Sequence, residues 1–355
     1  MAIFDDILKS NESLFMEPIV LDFDYLPKLI PYREKEQKHV AFCIKPLFSN
    51  RNGSNILIHG PPGIGKTAAI RHVLKEIEET TDDIIPIYIN IWQKNTSYKV
   101  VIDICEQLDY MFTQNKKTEE LFKIIENQLN KKAVVFCFDE IDKAEDLDFL
   151  YYILEKIYRK TIILITNYKE WAIDLDERLK SRLNLELLEF KKYNEVEIKG
   201  ILEERKKYAF VPNVWQNDAF LKVVKKTAEI GDVRTGLYLL KESGNIAENR
   251  ASRKIEMQDV ENAISKISEI KTKKTQDLKE DEQLILDIIK ENSGKKIGEL
   301  FNIYKEKGGL GVYKTFQRKI DFLSKNNFIS TKKQTNAEGN TTIVKYERET
   351  KLDEF

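Results

Sequence analysis

The chain has 355 residues, 42% of them apolar and 33% charged, with a formal net charge of −1. That length calls for two or three domains, the balance is that of a water-soluble globular protein, and the near-zero charge excludes a globally basic nucleic-acid binder, leaving any such surface to a local patch. Cys43, Cys105 and Cys137 are far apart with no CxxC pair, which argues against a zinc knuckle or a disulfide framework, and the absence of a leader pattern or a run approaching ~18 apolar residues predicts a cytoplasmic protein off the membrane.

The first strong signal along the chain is Gly60-Pro61-Pro62-Gly63-Ile64-Gly65-Lys66-Thr67. It fits G-x-x-x-x-G-K-[ST], the P-loop pattern. Residues 55–59 before it form a short apolar run, and Ile70, Val73, Leu74 and Ile77 after it recur at helical spacing. Strand, glycine turn and helix in that order aim backbone N–H groups and a helix N-terminus at one point, which suits a polyphosphate. The loop from Gly60 through Ala68 is assigned to nucleotide, with Lys66 reaching the β and γ phosphates and Thr67 placing its hydroxyl on Mg²⁺.

A second strand is expected at 84–91. Residues 133–138 are apolar without alternation, as a parallel strand covered on both faces should be, and they end in Asp139-Glu140-Ile141-Asp142. Ligands of open parallel sheets gather at the carboxyl ends of strands. Asp139 is therefore assigned to Mg²⁺ and Glu140 to the attacking water, with Asp142 a solvated acid at a helix start. A further strand at 161–166 ends in Asn167, placed to bond the γ phosphate or its water, and a last one is expected at 185–190. Arg178 and Arg182 stand one helical turn apart. Arg234 sits just inside a helix started by Gly231-Asp232, where an arginine can meet the nucleotide of its own subunit. Residues 191–267 carry helical patterns only, a helical lid.

The polar, charged stretch 271–277 has the profile of a linker. Beyond it, Leu284, Ile285, Ile288 and Ile289 mark one helix, 297–305 a second and 313–325 a third. Alternating strands at 328–332 and 342–346 follow, joined by a turn at 336–340. Three helices and a hairpin describe a winged helix-turn-helix. Lys314, Arg318, Lys319, Lys325, Lys332 and Lys333 oppose one acid, Asp321. Lys314, Thr315, Gln317 and Arg318 are assigned to a major groove, and Lys332 and Lys333 to phosphates. A protein partner for the same domain stays open on these residues alone.

Together these motifs resemble an AAA+ ATPase of the archaeal origin-recognition (Orc-type) replication initiator family. Further segments carry the resemblance: residues 21–34, matching that family's entry motif; Ile89-Asn90 with Thr96 and Tyr98; residues 175–183, matching its arginine-finger box; and 231–240 with 243–248, matching its sensor-2 helices. The likeness spans about residues 21–267. It implies a trans-acting finger at Arg178 or Arg182, sensor 2 at Arg234, and Tyr32 and Arg33 near the adenine. Where the family reads Pro-Pro-Tyr this chain has Lys191-Lys192-Tyr193, and only Tyr193 keeps the matched position, beside the nucleotide. A second departure is the turn Asn336-Ala337-Glu338-Gly339, acidic where the family's wing tip is rich in Arg and Gly, which puts minor-groove reading in doubt.

The expected protein is α/β: an AAA+ parallel-sheet core (1–190), a helical lid (191–270), and a linker with a winged helix (271–355). The resemblance implies an initiator that binds ATP or ADP with Mg²⁺ and hydrolyses ATP slowly as a switch. Its implied partners are double-stranded origin DNA, the MCM helicase and other initiator subunits in trans. A nucleotide-bound transcription regulator and a signal-transduction-type P-loop ATPase are the alternatives; the latter lacks the Gly231-Asp232-x-Arg234 lid.

Overall fold

The computed structural model describes residues 13–173, 175–276, 280–325, 328–336 and 339–346. Five strands form one parallel sheet: β1 (Ile56–His59), β2 (Ile84–Asn90), β3 (Ala133–Asp139), β4 (Lys160–Thr166) and β5 (Glu186–Glu189), in the order β2-β3-β4-β1-β5. The apolar runs set that order. Every residue of β1 and β3 is buried, whereas β5, mixed Glu-Leu-Leu-Glu, is mostly exposed and takes the edge. Register is fixed by pairs such as Asn90 with Asp139, Phe138 with Leu164, and His59 with Thr166. The sheet ends that carry the polar residues are thereby brought level.

One face of the sheet packs on α3 (Ser97–Gln107), α4 (Thr118–Leu129), α5 (Asp148–Lys156) and α6 (Glu177–Leu183), around Phe136, Phe138 and Phe149. Each such ring contributes about 1.5–3 kcal/mol relative to exposure. The other face packs on α1 (Glu34–Ile44) and α2 (Lys66–Thr80), around Ile70, Val135 and Cys137. Cys43, Cys105 and Cys137 are all buried free thiols.

Four helices follow: α7 (Glu195–Ala209), α8 (Asn217–Ile230), α9 (Val233–Asn249) and α10 (Met257–Gln276). Asn194 opens α7 with a reciprocal capping box to Glu197. Gly231 closes α8 in the left-handed region, and Asp232 caps α9. The segment before α1 is stapled to these helices: Phe15 bridges Phe210, Arg205 Nη1 donates to the Val20 carbonyl at 3.0 Å, and Lys241 pairs with Asp22 at 2.5 Å.

The chain divides into two compact units, 1–263 and 264–355. In the second, α11 (Glu280–Glu291), α12 (Ile297–Glu306) and α13 (Tyr313–Lys325) pack with the antiparallel hairpin β6 (Ile329–Asn336) and β7 (Gly339–Tyr346) around Ile285, Leu300, Tyr304, Phe316 and Leu323. Lys296 makes a further antiparallel bridge to Ile343. The stretch expected to be a linker is helical as far as Gln276, and its last residue, Asp277, lies outside the described residues. No helix among the described residues is long and apolar enough to cross a membrane.

Candidate functional site

Gly63 and Gly65 adopt φ of +71° and +84°, values that L side chains rarely take, and so turn the loop between β1 and α2. A Cβ at Gly63 would also collide with the Asp232 carboxylate. The lid touches the loop directly here: Val233 N–H donates to the Gly63 carbonyl at 3.0 Å. A cavity of about 580 Å³ opens beside this contact. Its polar end holds Lys66, Thr67, Asp139, Glu140, Asn167 and Arg234; Leu26, Ile30, Ile201 and Leu237 line its apolar part.

Lys66 is buried. Its Nζ donates to the carbonyls of Gly60 (2.7 Å) and Pro61 (2.8 Å) and to Asn167 Oδ1 (2.8 Å). Burial pulls its pKa down to about 8, against the attraction of Asp139. Thr67 Oγ1 donates to Asp139 Oδ2 at 2.6 Å. Asp139 is 3% exposed and accepts two more hydrogen bonds: from the Tyr88 hydroxyl at 2.8 Å, and from the Glu140 backbone N–H at 2.9 Å. Glu140 sits at φ +54°, a left-handed conformation that turns the chain sharply at the end of β3. Burial raises its pKa, with Asp139 and Asp142 adding to the effect.

Arg234, at the first turn of α9, is clasped by Asp232: Nη2 donates to Oδ2 at 2.8 Å and Nε to Oδ1 at 3.1 Å. Asp142 is not the solvated acid expected of it. It accepts from the Thr166 hydroxyl at 3.0 Å and pairs with Lys143 at 3.1 Å, because the tight turn after Glu140 folds it back against the tip of β4.

Tyr193 and Ala68 line the cavity, but Gly60, Pro61 and Ile64 do not. Tyr32 and Arg33 also depart from their expected place. Arg33 is buried, with Nη2 donating to the carbonyls of Ile64 (3.1 Å) and Lys191 (2.6 Å) and its guanidinium 4.0 Å from the Tyr193 ring centre. It braces the loop by giving donors to the carbonyls of Ile64 and Lys191. Tyr32 packs its hydroxyl on Gly200 of α7, where any Cβ would come within 2.2 Å of it.

Arg178 and Arg182 are exposed on α6, and neither lines the cavity. Arg182 pairs with Glu155 at 3.0 Å. In the second unit Lys314, Thr315 and Arg318 stand exposed on α13, with Gln317 half-buried, while Lys319 pairs with Asp281. Lys332 and Lys333 lie on β6, with side chains outside the described residues, as are Ala337 and Glu338 of the turn.

Three participants escape a sequence reading. Tyr88 shows no motif; its signal is its place two residues before the tip of β2, the strand beside β3. Asp232 reads only as a helix cap. Arg205, which lines the cavity and stands 5.1 Å from the Tyr25 ring centre, reads as one more charge on a helix.

Comparison with known proteins accords with this geometry. The family model for the Cdc6 AAA+ ATPase-type lid domain matches residues 199–265, and that for an AAA domain matches 50–169. The chain is 30% identical to the ORC1-type DNA replication protein 2 of Methanosarcina acetivorans, across 97% of both chains. It is 33% identical to the ORC1-type DNA replication protein 1 of Sulfurisphaera tokodaii, over 74% of this chain and 69% of that one. Among solved structures, the ORC1 protein of Aeropyrum pernix in complex with DNA superposes with a TM-score of 0.73 at 26% identity, covering 95% of this chain and 94% of that one. The P-loop against its acidic strand, the lid arginine over both, and likeness along nearly the whole length lead to one conclusion: the chain belongs to the archaeal Orc-type family of AAA+, ATP-binding DNA replication initiators.

Proposed function

We propose that this protein recognises duplex origin DNA and supports loading of the MCM helicase, with slow ATP hydrolysis acting as a switch between states of the initiator. The observation that carries the reading is the convergence of Lys66, Thr67, Asp139, Glu140, Asn167 and the lid's Arg234 on one cavity. Lys66 supplies a cation to the β and γ phosphates once it leaves the loop carbonyls, and Asn167, released with it, faces the same place. Thr67 and Asp139 offer paired oxygen ligands 2.6 Å apart, the hard donor type that Mg²⁺ takes, and so fit that ion. Bound there, Mg²⁺ would neutralise phosphate charge. Glu140, its carboxyl made more basic by burial, takes the proton of the attacking water.

Arg234 must leave Asp232 to reach a γ phosphate, and because α9 rests on the P-loop through Val233, that exchange ties lid position to nucleotide state. Arg178 or Arg182 serves a neighbouring subunit's nucleotide. The exposed face of α13 and the lysines of β6 hold DNA, within a cytoplasmic, nucleoid-associated protein. Likeness to an ORC1 protein solved in complex with DNA supports this reading.

Mapping of genomic binding sites tests it. Occupancy at replication origins, lost in a Lys314→Ala/Arg318→Ala variant, is expected. Occupancy confined to promoters would replace the initiator by a nucleotide-bound transcription regulator.

A further inference from the structure

Away from the cavity, at the start of edge strand β5, three side chains of metal-binding type meet. His39 and Cys43 are one turn apart on α1, and Glu186 is the first residue of β5. One ligand atom from each, His39 Nε2, Cys43 Sγ and a Glu186 carboxylate oxygen, fall within 4.8 Å of one another.

The two spacings to the carboxylate are close to those of a coordination shell. Zinc bonds of the usual lengths at tetrahedral angles put nitrogen and oxygen ligands about 3.3 Å apart, and sulfur and oxygen about 3.6 Å apart. Here His39 Nε2 stands 3.2 Å from Glu186 Oε2, and the Cys43 thiol donates to the same oxygen at 3.8 Å, a hydrogen bond that a bound cation would replace.

A second observation points the same way. His39 Nε2 is shut off from solvent and has no hydrogen-bond partner, although the carboxylate is within reach. Two groups that close, yet not aligned as donor and acceptor, leave a buried nitrogen unsatisfied. A cation between them satisfies both.

The supporting backbone is held firmly. A single loop before β1 anchors both elements: Ser54 N–H donates to the Cys43 carbonyl at 3.0 Å, and Glu186 N–H donates to the Asn55 carbonyl at 2.9 Å. The ligands therefore come to one place without rearrangement of the chain.

We propose that His39, Cys43 and Glu186 bind a divalent transition-metal cation of the Zn²⁺ type, with water in the fourth position. Sulfur and imidazole favour such a cation over Mg²⁺ or Ca²⁺, which take oxygen. The side chains of His39 and Glu186 are 43% and 47% exposed, so the cluster lies at the surface of the fold although His39 Nε2 itself is covered. The bound cation cross-links α1 to β5. Both elements continue to the nucleotide loop, α1 through Arg33 on the Ile64 carbonyl and β5 through Phe190 on the His59 carbonyl.

Cobalt reports on this site without reference to ATPase activity. Chelator-stripped full-length protein, saturated with Mg²⁺ and ADP, is titrated with Co²⁺ and followed by its thiolate-to-cobalt charge-transfer band. One equivalent is expected, displaced by Zn²⁺. Cys43→Ser should abolish the band. His39→Gln and Glu186→Gln, both at half-exposed positions that tolerate change, should each weaken binding more than about tenfold, the loss that even an outer-shell partner costs. No charge-transfer band in the unaltered protein would overturn the proposal. So would a band kept in Cys43→Ser, which would place the thiolate at Cys105 or Cys137, or affinity in either exposed-ligand variant equal to that of the unaltered protein.

Discussion

Nucleotide binding should take up a proton, and the proton should go to Lys66. In the free protein this ammonium is buried against two carbonyls and an amide, and its pKa falls to about 8 from an ordinary 10.5. A polyphosphate arriving beside it restores the charged form and returns the pKa to at least the ordinary value. The fraction charged before binding is then about 0.9 near pH 7 but only about 0.25 near pH 8.5, so the uptake per site rises from about 0.1 to about 0.75 proton. The sign follows from a pKa raised by binding. The interaction is fully present below about 8, and affinity falls as pH climbs from there toward the bound value. Isothermal titration of ADP in buffers of different ionisation enthalpy measures the uptake directly. Near pH 8.5 the nucleotide phosphates are already ionised and do not contribute. Lys66→Arg, which does not titrate in this range, should bind without uptake. Uptake near zero in the unaltered protein at pH 8.5, or unchanged uptake in the arginine variant, would refute the argument.

Tyr88→Phe removes one of the three hydrogen bonds on Asp139, and should raise the Mg²⁺ needed for half-maximal ATP hydrolysis about tenfold while leaving ADP binding in EDTA unchanged. Glu140→Gln should lower ATP hydrolysis by about 10²-fold or more with ATP affinity kept; in the unaltered protein, the raised carboxyl pKa should make activity fall on acidification at a higher pH than an ordinary glutamate would give. Asp232→Ala frees Arg234 but removes the cap of α9 at a cost of about 1 kcal/mol, so melting of the free protein should drop while the ATP-over-ADP preference, read by competition binding, increases. In DNA-binding titrations, Lys332→Ala should lessen the salt slope by about one and weaken all sequences alike, whereas Arg318→Ala should relax sequence preference.

The sheet was legible because its strands are apolar runs bounded by polar tips. Residues 133–138 read as a covered strand, and β3 lies buried along its whole length between two neighbours. The loop at Gly60–Thr67 was legible because phosphate binding needs glycine and lysine at fixed spacing. What escaped has a common physical form: a side chain whose partner is remote in sequence and whose own type carries no signal. Arg33 reads as a residue near a base, yet its Nε and Nη2 find the carbonyls of Ile64 and Lys191, the second 158 residues away, while Nη1 pairs with Glu36. His39 and Cys43 stand one helical turn apart, but Glu186 lies 143 residues beyond the second and only the register of β5 brings it to them. Asp142 escapes for the same reason: an acid after a strand reads as solvated, and only the fold sets Thr166 opposite it.

The choice between Arg178 and Arg182, open from their helical spacing, narrows once partners are considered. A residue that reaches into another subunit must have a side chain free to leave its own. Arg182 is held by Glu155 at 3.0 Å, both about half exposed, a pair of the kind that contributes only about 0–1 kcal/mol and would not lock the arginine in place. Arg178 forms no ion pair or side-chain hydrogen bond among the described residues, and its backbone N–H is already used by Asp176 at the cap of α6. Its guanidinium is therefore displayed from a fixed helical turn with no hydrogen-bonded partner to leave. On that ground Arg178 is the stronger candidate for the trans contact. Arg178→Ala should slow hydrolysis at high protein concentration and leave the rate of dilute monomer unchanged, while Arg182→Ala should lower both little. The reverse pattern would transfer the role to Arg182.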